Sequence, residues 1–143
     1  MTPRVSQLIA ALTSDGLAGG LRCLNAPIAH RYTGLFRLDQ TVFRNLSLHD
    51  KEGQLRPEFL EEVPFQDSFC QFVVRDGAFC TEHSGDDGRL AGHKYQGVLL
   101  SYHGVPVLDD KGELYGTLCH FDAEQRSLPD EEFDFLQQAA RTF

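Results

Sequence analysis

YHGVPVLDDKGELYGTLCHFD, residues Tyr102 to Asp122, spells out a hairpin. Two runs rich in β-branched and aromatic residues flank Asp109-Asp110-Lys111-Gly112, a set of turn formers. Strand, tight turn and returning strand follow from that pattern, over Val98 to Val107 and Glu113 to Phe121. Pro106 lies inside the first run and cannot donate to a ladder, which places it at an edge or a bulge. His103 and His120 share the parity of the Val105 to Leu118 positions, so they face one side of the hairpin as a sheet pair.

Upstream of the hairpin, Ser84 to Gln96 is polar and glycine-rich and reads as a loop with a turn of helix. Ala78 to His83 reads as a strand. Ser68 caps a helix running to about Arg75, where Asp76-Gly77 stops it. Pro57 to Val63 reads as a short helix with Phe59 and Leu60 inward. Tyr32 to Asp39 and Thr41 to His49 alternate and form a first antiparallel hairpin about Asp39-Gln40. At the start, Thr2 is a candidate cap and Pro3 suits a first helical turn. Val5, Leu8, Ile9 and Leu12 then repeat at helical spacing. Asp15-Gly16 ends or kinks this helix, Leu21 to Asn25 adds a short helical turn, and Pro27 closes the region. A last helix begins at Ser127 or Asp130, with Phe133, Leu136, Ala140 and Phe143 as its apolar seam. This order predicts an α+β fold on an antiparallel sheet.

The chain has 143 residues, of which 41% are apolar and 24% charged, the usage of a single globular domain. Eleven phenylalanines and no tryptophan predict a phenyl-rich interior. A net charge of −8 without a basic run opposes phosphate tracking, so no nucleic-acid partner is expected. The longest apolar run near the N-terminus, Leu8 to Leu12, is too short for an export signal or a membrane span. Cysteines at 23, 70, 80 and 119 form no CxxC pair, and a reducing, cytoplasmic setting with unpaired thiols is expected.

Gly104-Val105-Pro106-Val107, the Asp/Gly turn, Gly116-Thr117-Leu118-Cys119 and Asp122 resemble the closing hairpin of GAF domains, the small-molecule sensing modules of bacterial signalling proteins. Asp67-Ser68-Phe69-Cys70 followed by Val73-Val74-Arg75-Asp76-Gly77 resembles the helix over a GAF pocket. The resemblance implies one domain over residues 1–143, with a profilin-like central antiparallel sheet of five to six strands. Terminal helices would cover one face. A roof made from Ser68 to Val74 and Ser84 to Gln96 would cover a pocket on the other, above a floor from the last two strands. Family members bind different ligands or none, so fold supplies a site and not a substrate. The Cys-His dipeptide of bilin-binding members occurs here as Cys119-His120, but in a strand. The Asn-Lys-x-Asp motif of cyclic-nucleotide binders is absent.

Free methionine-R-sulfoxide reductases resemble stand-alone GAF domains that use three pocket thiols. Cys70 and Cys80 fit the first two places, at a separation of 80 − 70 = 10, but the third, near Arg89 to His93, holds no cysteine. Cys119 would replace it only if it pointed into the same pocket. Sulfoxide reduction needs an attacking thiolate and a resolving thiol, and Cys70 at a helix start is placed for a lowered pKa. The competing reading makes Cys70, Cys80 and Cys119 small buried hydrophobes beside Phe69, Phe79 and Phe121, and it is preferred.

The expected function is therefore a regulatory small-molecule-binding module. A thiol enzyme using Cys70, Cys80 and Cys119 and a ligand-free dimerisation domain are the alternatives. The expected lining is Phe69, Cys70, Phe72 and Val73 on the roof, with Cys80 beneath. Arg89 and Tyr95 would come from the loop, and Tyr102, Thr117 and Cys119 from the hairpin. Arg89 would pair an anionic ligand, and Asp122 would fix the strand exit. No cofactor is expected, and partners would be an unknown small molecule and a second copy or a signalling protein. Glu82, His83, Asp86, Asp87 and His93 collect in one loop without metal-ligand spacing, so no metal site is expected. No nucleophile elbow or phosphate cradle is present.

Overall fold

The structure, a computed structural model, describes residues 3–143, so the proposed Thr2 cap lies outside the described residues. The elements are α1 (Pro3–Asn25), β1 (Tyr32–Asp39), β2 (Val42–Asp50), β3 (Glu62–Pro64), α2 (Cys70–Asp76), β4 (Phe79–Thr81), β5 (Ser101–Leu108), β6 (Leu114–Asp122) and α3 (Asp130–Ala139). All six strands join one antiparallel sheet in the order β3-β2-β1-β6-β5-β4.

The central contact is β1 on β6. It pairs Phe36 with Thr117 and Arg37 with Gly116. A methyl group added at Gly116 would lie 1.9 Å from the Phe36 carbonyl oxygen, so only glycine lets the two backbones close. Pro106 meets the edge expectation through local geometry. β4 pairs only with Tyr102, His103 and Gly104, which leaves β5 without an outer neighbour from Val105 onward. The ladder with β6 also shifts register between Val107 and Leu108.

α1 continues through the predicted break. Gly16 takes φ 69° and ψ −157°, a kink that only glycine adopts at low cost, and the helix resumes to Asn25. Leu8, Leu21 and Leu24 of α1 and Phe135, Leu136 and Ala139 of α3 pack on Leu35, Val105, Val107 and Leu118 of the sheet. Each fully buried Leu or Phe contributes about 1.5–3 kcal/mol. Phe135 joins this core although the seam predicted from sequence omitted it, while Phe133 and Phe143 are only half-buried.

Between α1 and the sheet lies a buried polar layer. His103 and His120 pair across β5 and β6 as expected, and His30 joins them from the loop before β1. His30 Nε2 and His103 Nδ1 share a hydrogen bond of 3.0 Å, and Thr33 Oγ1 and His120 Nδ1 share one of 2.6 Å. Asn25 Nδ2 donates to the His30 carbonyl and to Thr33 Oγ1, tying the end of α1 to the sheet. Asp122 fixes the exit of β6. It accepts from the Arg31 and Glu124 backbone N–H groups and from Arg126. Those bonds outweigh its burial and lower its pKa.

Two sequence expectations are revised. Pro57 to Val63 is a single 3₁₀ turn at Glu58–Leu60 followed by β3, with Leu60 buried but Phe59 41% exposed. The strand expected over Ala78 to His83 keeps only Phe79–Thr81.

Candidate functional site

The opposite face of the sheet carries a second apolar layer. Phe36, Phe43, Tyr102, Cys119 and Phe121 rise from the strands toward Phe69, Cys70, Phe72 and Val73 of the α2 region. Ser68 Oγ accepts from the Gln71 N–H at 3.1 Å, and the Gly77 N–H donates to the Val73 carbonyl at 2.8 Å, so both predicted ends of α2 are held. His93 donates through Nε2 to the Ser68 carbonyl and lies against the Phe69 ring, docking the long loop onto the helix.

Beneath this roof lies a cavity of about 40 Å³, partly open to solvent. Its floor is Phe36, Tyr102, Cys119 and Phe121. Phe69, Cys70 and Tyr95 line it from above, and Phe59, Leu60, Val63 and Leu99 complete the wall. The Phe59 and Tyr95 rings, from separate loops, meet at 5.5 Å between centroids. A water needs about 10–15 Å³ of such space, so the closed cavity takes a few waters and not a metabolite. Its charged lining residue is Asp67, 3.5 Å from Lys94 Nζ.

Of the residues expected to line it, Phe69, Cys70, Tyr95, Tyr102 and Cys119 do so. Phe72, Val73 and Thr117 are buried behind them. Cys80 is not brought in. It pairs with His103, and strand parity turns it away from its neighbours Phe79 and Thr81 toward the other face. Burial raises its pKa, against a weaker pull from Arg89. Arg89 is diverted too. It grips Asp87 with Nε and Nη2, donates to the Cys80 carbonyl, and stacks over Phe79 at 4.5 Å. The expected anion anchor is therefore committed elsewhere. Among the described residues, no three of His, Cys, Asp and Glu converge to hold a metal.

Sequence reading missed Phe36, Phe59, Leu60, Val63, Leu99 and Phe121. Phe36 and Phe121 carry a parity signal that is usable once β1 is known to neighbour β6. The others come from irregular backbone or a three-residue strand.

At the cavity floor, two hydroxyl donors meet one sulfur. Tyr102 Oη donates to Cys70 Sγ at 3.2 Å and Thr117 Oγ1 at 3.1 Å. Cys119 lies beside them, its Sγ donating to the Gly34 carbonyl oxygen at 3.7 Å. Burial opposes ionisation of Cys70, but its polar surroundings, Cys119 first, then Thr117, Tyr102 and a backbone hydrogen bond, outweigh it and its pKa falls below that of an ordinary thiol. Burial and the neighbouring sulfur push Cys119 well up, and burial with both sulfurs raises Tyr102. Side-chain donors lower Cys70 most, and a backbone hydrogen bond at the helix start, as expected from sequence, adds to them.

The sequence profile described as GAF domain matches residues 28–143, and the chain belongs to that family. Comparison with curated protein sequences gives no significant match. Among solved structures, the fold is similar to the GAF domain of a phosphoenolpyruvate-protein phosphotransferase from Acinetobacter. The TM-score is 0.75 at 14% identity, covering 97% of this chain and 87% of that one. It is also similar to free methionine-R-sulfoxide reductase from Neisseria meningitidis in complex with its substrate. There the TM-score is 0.73 at 15% identity, covering 96% and 81%. The cyanobacteriochrome receptor PixJ aligns with a TM-score of 0.63 at 18% identity, over 97% and 93%. No helix among the described residues is long and apolar enough to cross a membrane.

Proposed function

We propose that this chain is a regulatory GAF domain that admits a small, uncharged, largely apolar molecule beneath α2. The observation that carries this reading is the lining. Aromatic and aliphatic side chains form the walls, the floor's polar atoms are hydrogen-bonded among themselves, and the expected cation, Arg89, is committed to Asp87. Such a surface favours a ligand that brings apolar area and few charges.

Since the closed cavity holds only about 40 Å³, entry requires Phe59 and Tyr95 to part. Both sit on segments made of single turns outside the sheet, where local opening is least costly. Ligand displacing the roof would alter α2 against β5 and β6, whose other face carries α1 and α3. Differential affinity for the two arrangements would then set the output.

A thermal-shift screen with small uncharged aromatics tests this. Ligand at a hundredfold excess over Kd adds about 2.7 kcal/mol, a rise on the order of 8 °C in Tm. Val63→Phe, which fills the cavity from the short edge strand, is expected to fold and lose the response. Stabilisation that survives Val63→Phe would refute the site.

Sulfoxide reduction is the second reading, favoured by one observation. Cys119 points into the same cavity as Cys70, the condition for it to stand in as the missing thiol. Turnover of free methionine sulfoxide with a dithiol, lost in Cys70→Ser, would establish it.

A further inference from the structure

We propose that Cys70 and Cys119 form a peroxide-reactive thiol pair, with Cys70 as the nucleophile and Cys119 as the resolving thiol. The geometry gives each group one part. Tyr102 and Thr117 aim hydroxyl donors at Cys70 Sγ from 3.2 and 3.1 Å, the arrangement that stabilises a thiolate, while Cys119 keeps its proton beside it. Both cysteines line the cavity of about 40 Å³, which is partly open to solvent. A space that takes a few waters admits hydrogen peroxide. The closed state that shuts out a metabolite is thus the state in which this chemistry runs. The proposal does not depend on the ligand-binding reading.

The steps balance with a hydroperoxide as oxidant. The Cys70 thiolate attacks one peroxide oxygen, an S–O bond forms and the O–O bond breaks. The departing hydroxide takes up the proton that Cys70 released and leaves as water. Sulfur is oxidised by one electron pair and peroxide oxygen is reduced by it. Cys119 then attacks the Cys70 sulfenic acid, the S–S bond forms, and the hydroxyl departs with the Cys119 proton as a second water. The product joins the first turn of α2 to the middle of β6, clamping the roof on the floor. An external thiol would restore the pair by exchange.

Exposure alone predicts a different order, since Cys23 and Cys80 are half-buried and Cys70 and Cys119 are buried. The test is a time course of reduced protein with hydrogen peroxide, quenched by alkylation and read by peptide mass spectrometry. The expected result is a Cys70–Cys119 disulfide, lighter by two hydrogens, that forms before Cys23 or Cys80 is modified and is reversed by dithiothreitol. Tyr102→Phe with Thr117→Val is expected to slow it about tenfold, the effect of one pH unit on the thiolate fraction. Cys70→Ser is expected to leave Cys119 reduced. Oxidation of Cys23 or Cys80 ahead of the pair, or a wild-type protein inert while its denatured chain reacts, would overturn the proposal. The readout uses no metabolite, so failure here leaves the thermal-shift test standing, and the reverse.

Discussion

Lowering the pH from 8 to 5 is predicted to strip this domain of much of its stability, through its buried histidines. His30 and His103 are held near pKa values of about 3 and about 4, against 6.5 in the unfolded chain. Burial is the main cause for both. His103, Arg126 and Lys51 further lower His30 against Asp122, and Glu82 opposes the shift at His103. His120 is lowered well below its usual value, by burial and then by His30, His103 and Lys51. A depressed folded pKa means the unfolded chain takes up the proton first. Stability is therefore complete above pH 6.5 and falls as the pH drops toward the folded values. Each histidine costs about 1.4 kcal/mol per pH unit in that window. At pH 5, His30 and His103 together remove about 4 kcal/mol, and His120 acts in the same direction, against a typical total of about 5–15 kcal/mol. The lowered carboxylates Asp50, Asp87 and Asp122 act separately, below about pH 4. With a urea slope of about 2 kcal/mol per molar, the unfolding midpoint should fall by at least roughly 2 M between pH 8 and 5. His103→Gln, which can still bond His30, should shrink that fall by about 1 M. Midpoints that agree at the two pH values, or imidazole titrations near 6.5 in the folded protein, would refute the reasoning.

Gly116→Ala should cost at least about 3 kcal/mol, because its new carbon meets the Phe36 carbonyl at 1.9 Å between two central strands; calorimetry reads the loss. Asp122→Ala releases the Arg31 and Glu124 amides and Arg126 together, and a loss of roughly 3 kcal/mol in urea unfolding is expected. Phe121→Ala should cost about 3–5 kcal/mol and enlarge the cavity floor, so the variant should gain more stability than the wild type from a saturating apolar probe.

The hairpin around Asp109 to Gly112 was legible because alternation and turn chemistry agree there. The first hairpin was legible for the same reason, Tyr32–Asp39 being found to the residue. In the sequence Gly16 signals an end or a kink, and packing of Leu21 and Leu24 decides for the kink. β3 was not legible, since Glu62-Val63-Pro64 is too short for alternation and ends in a residue that breaks ladders. Cys80 and Arg89 show why the site resisted reading. Cys80 lies near Cys70 in sequence, but parity in a three-residue strand turns it to the other face. Arg89 looked free, but Asp87 two residues away satisfies it locally. His30 carried no signal at all, because its role depends on β5 and β6 meeting the end of α1.

The most direct test of the central claim is a titration of isotope-labelled protein with phenol, followed by backbone amide resonances. Saturable shifts at Phe59, Cys70, Leu99 and Cys119, spreading to α3 across the sheet, are the predicted result. Resonances that stay in place, or drift without saturation over the outer surface, would contradict a binding site beneath the α2 roof.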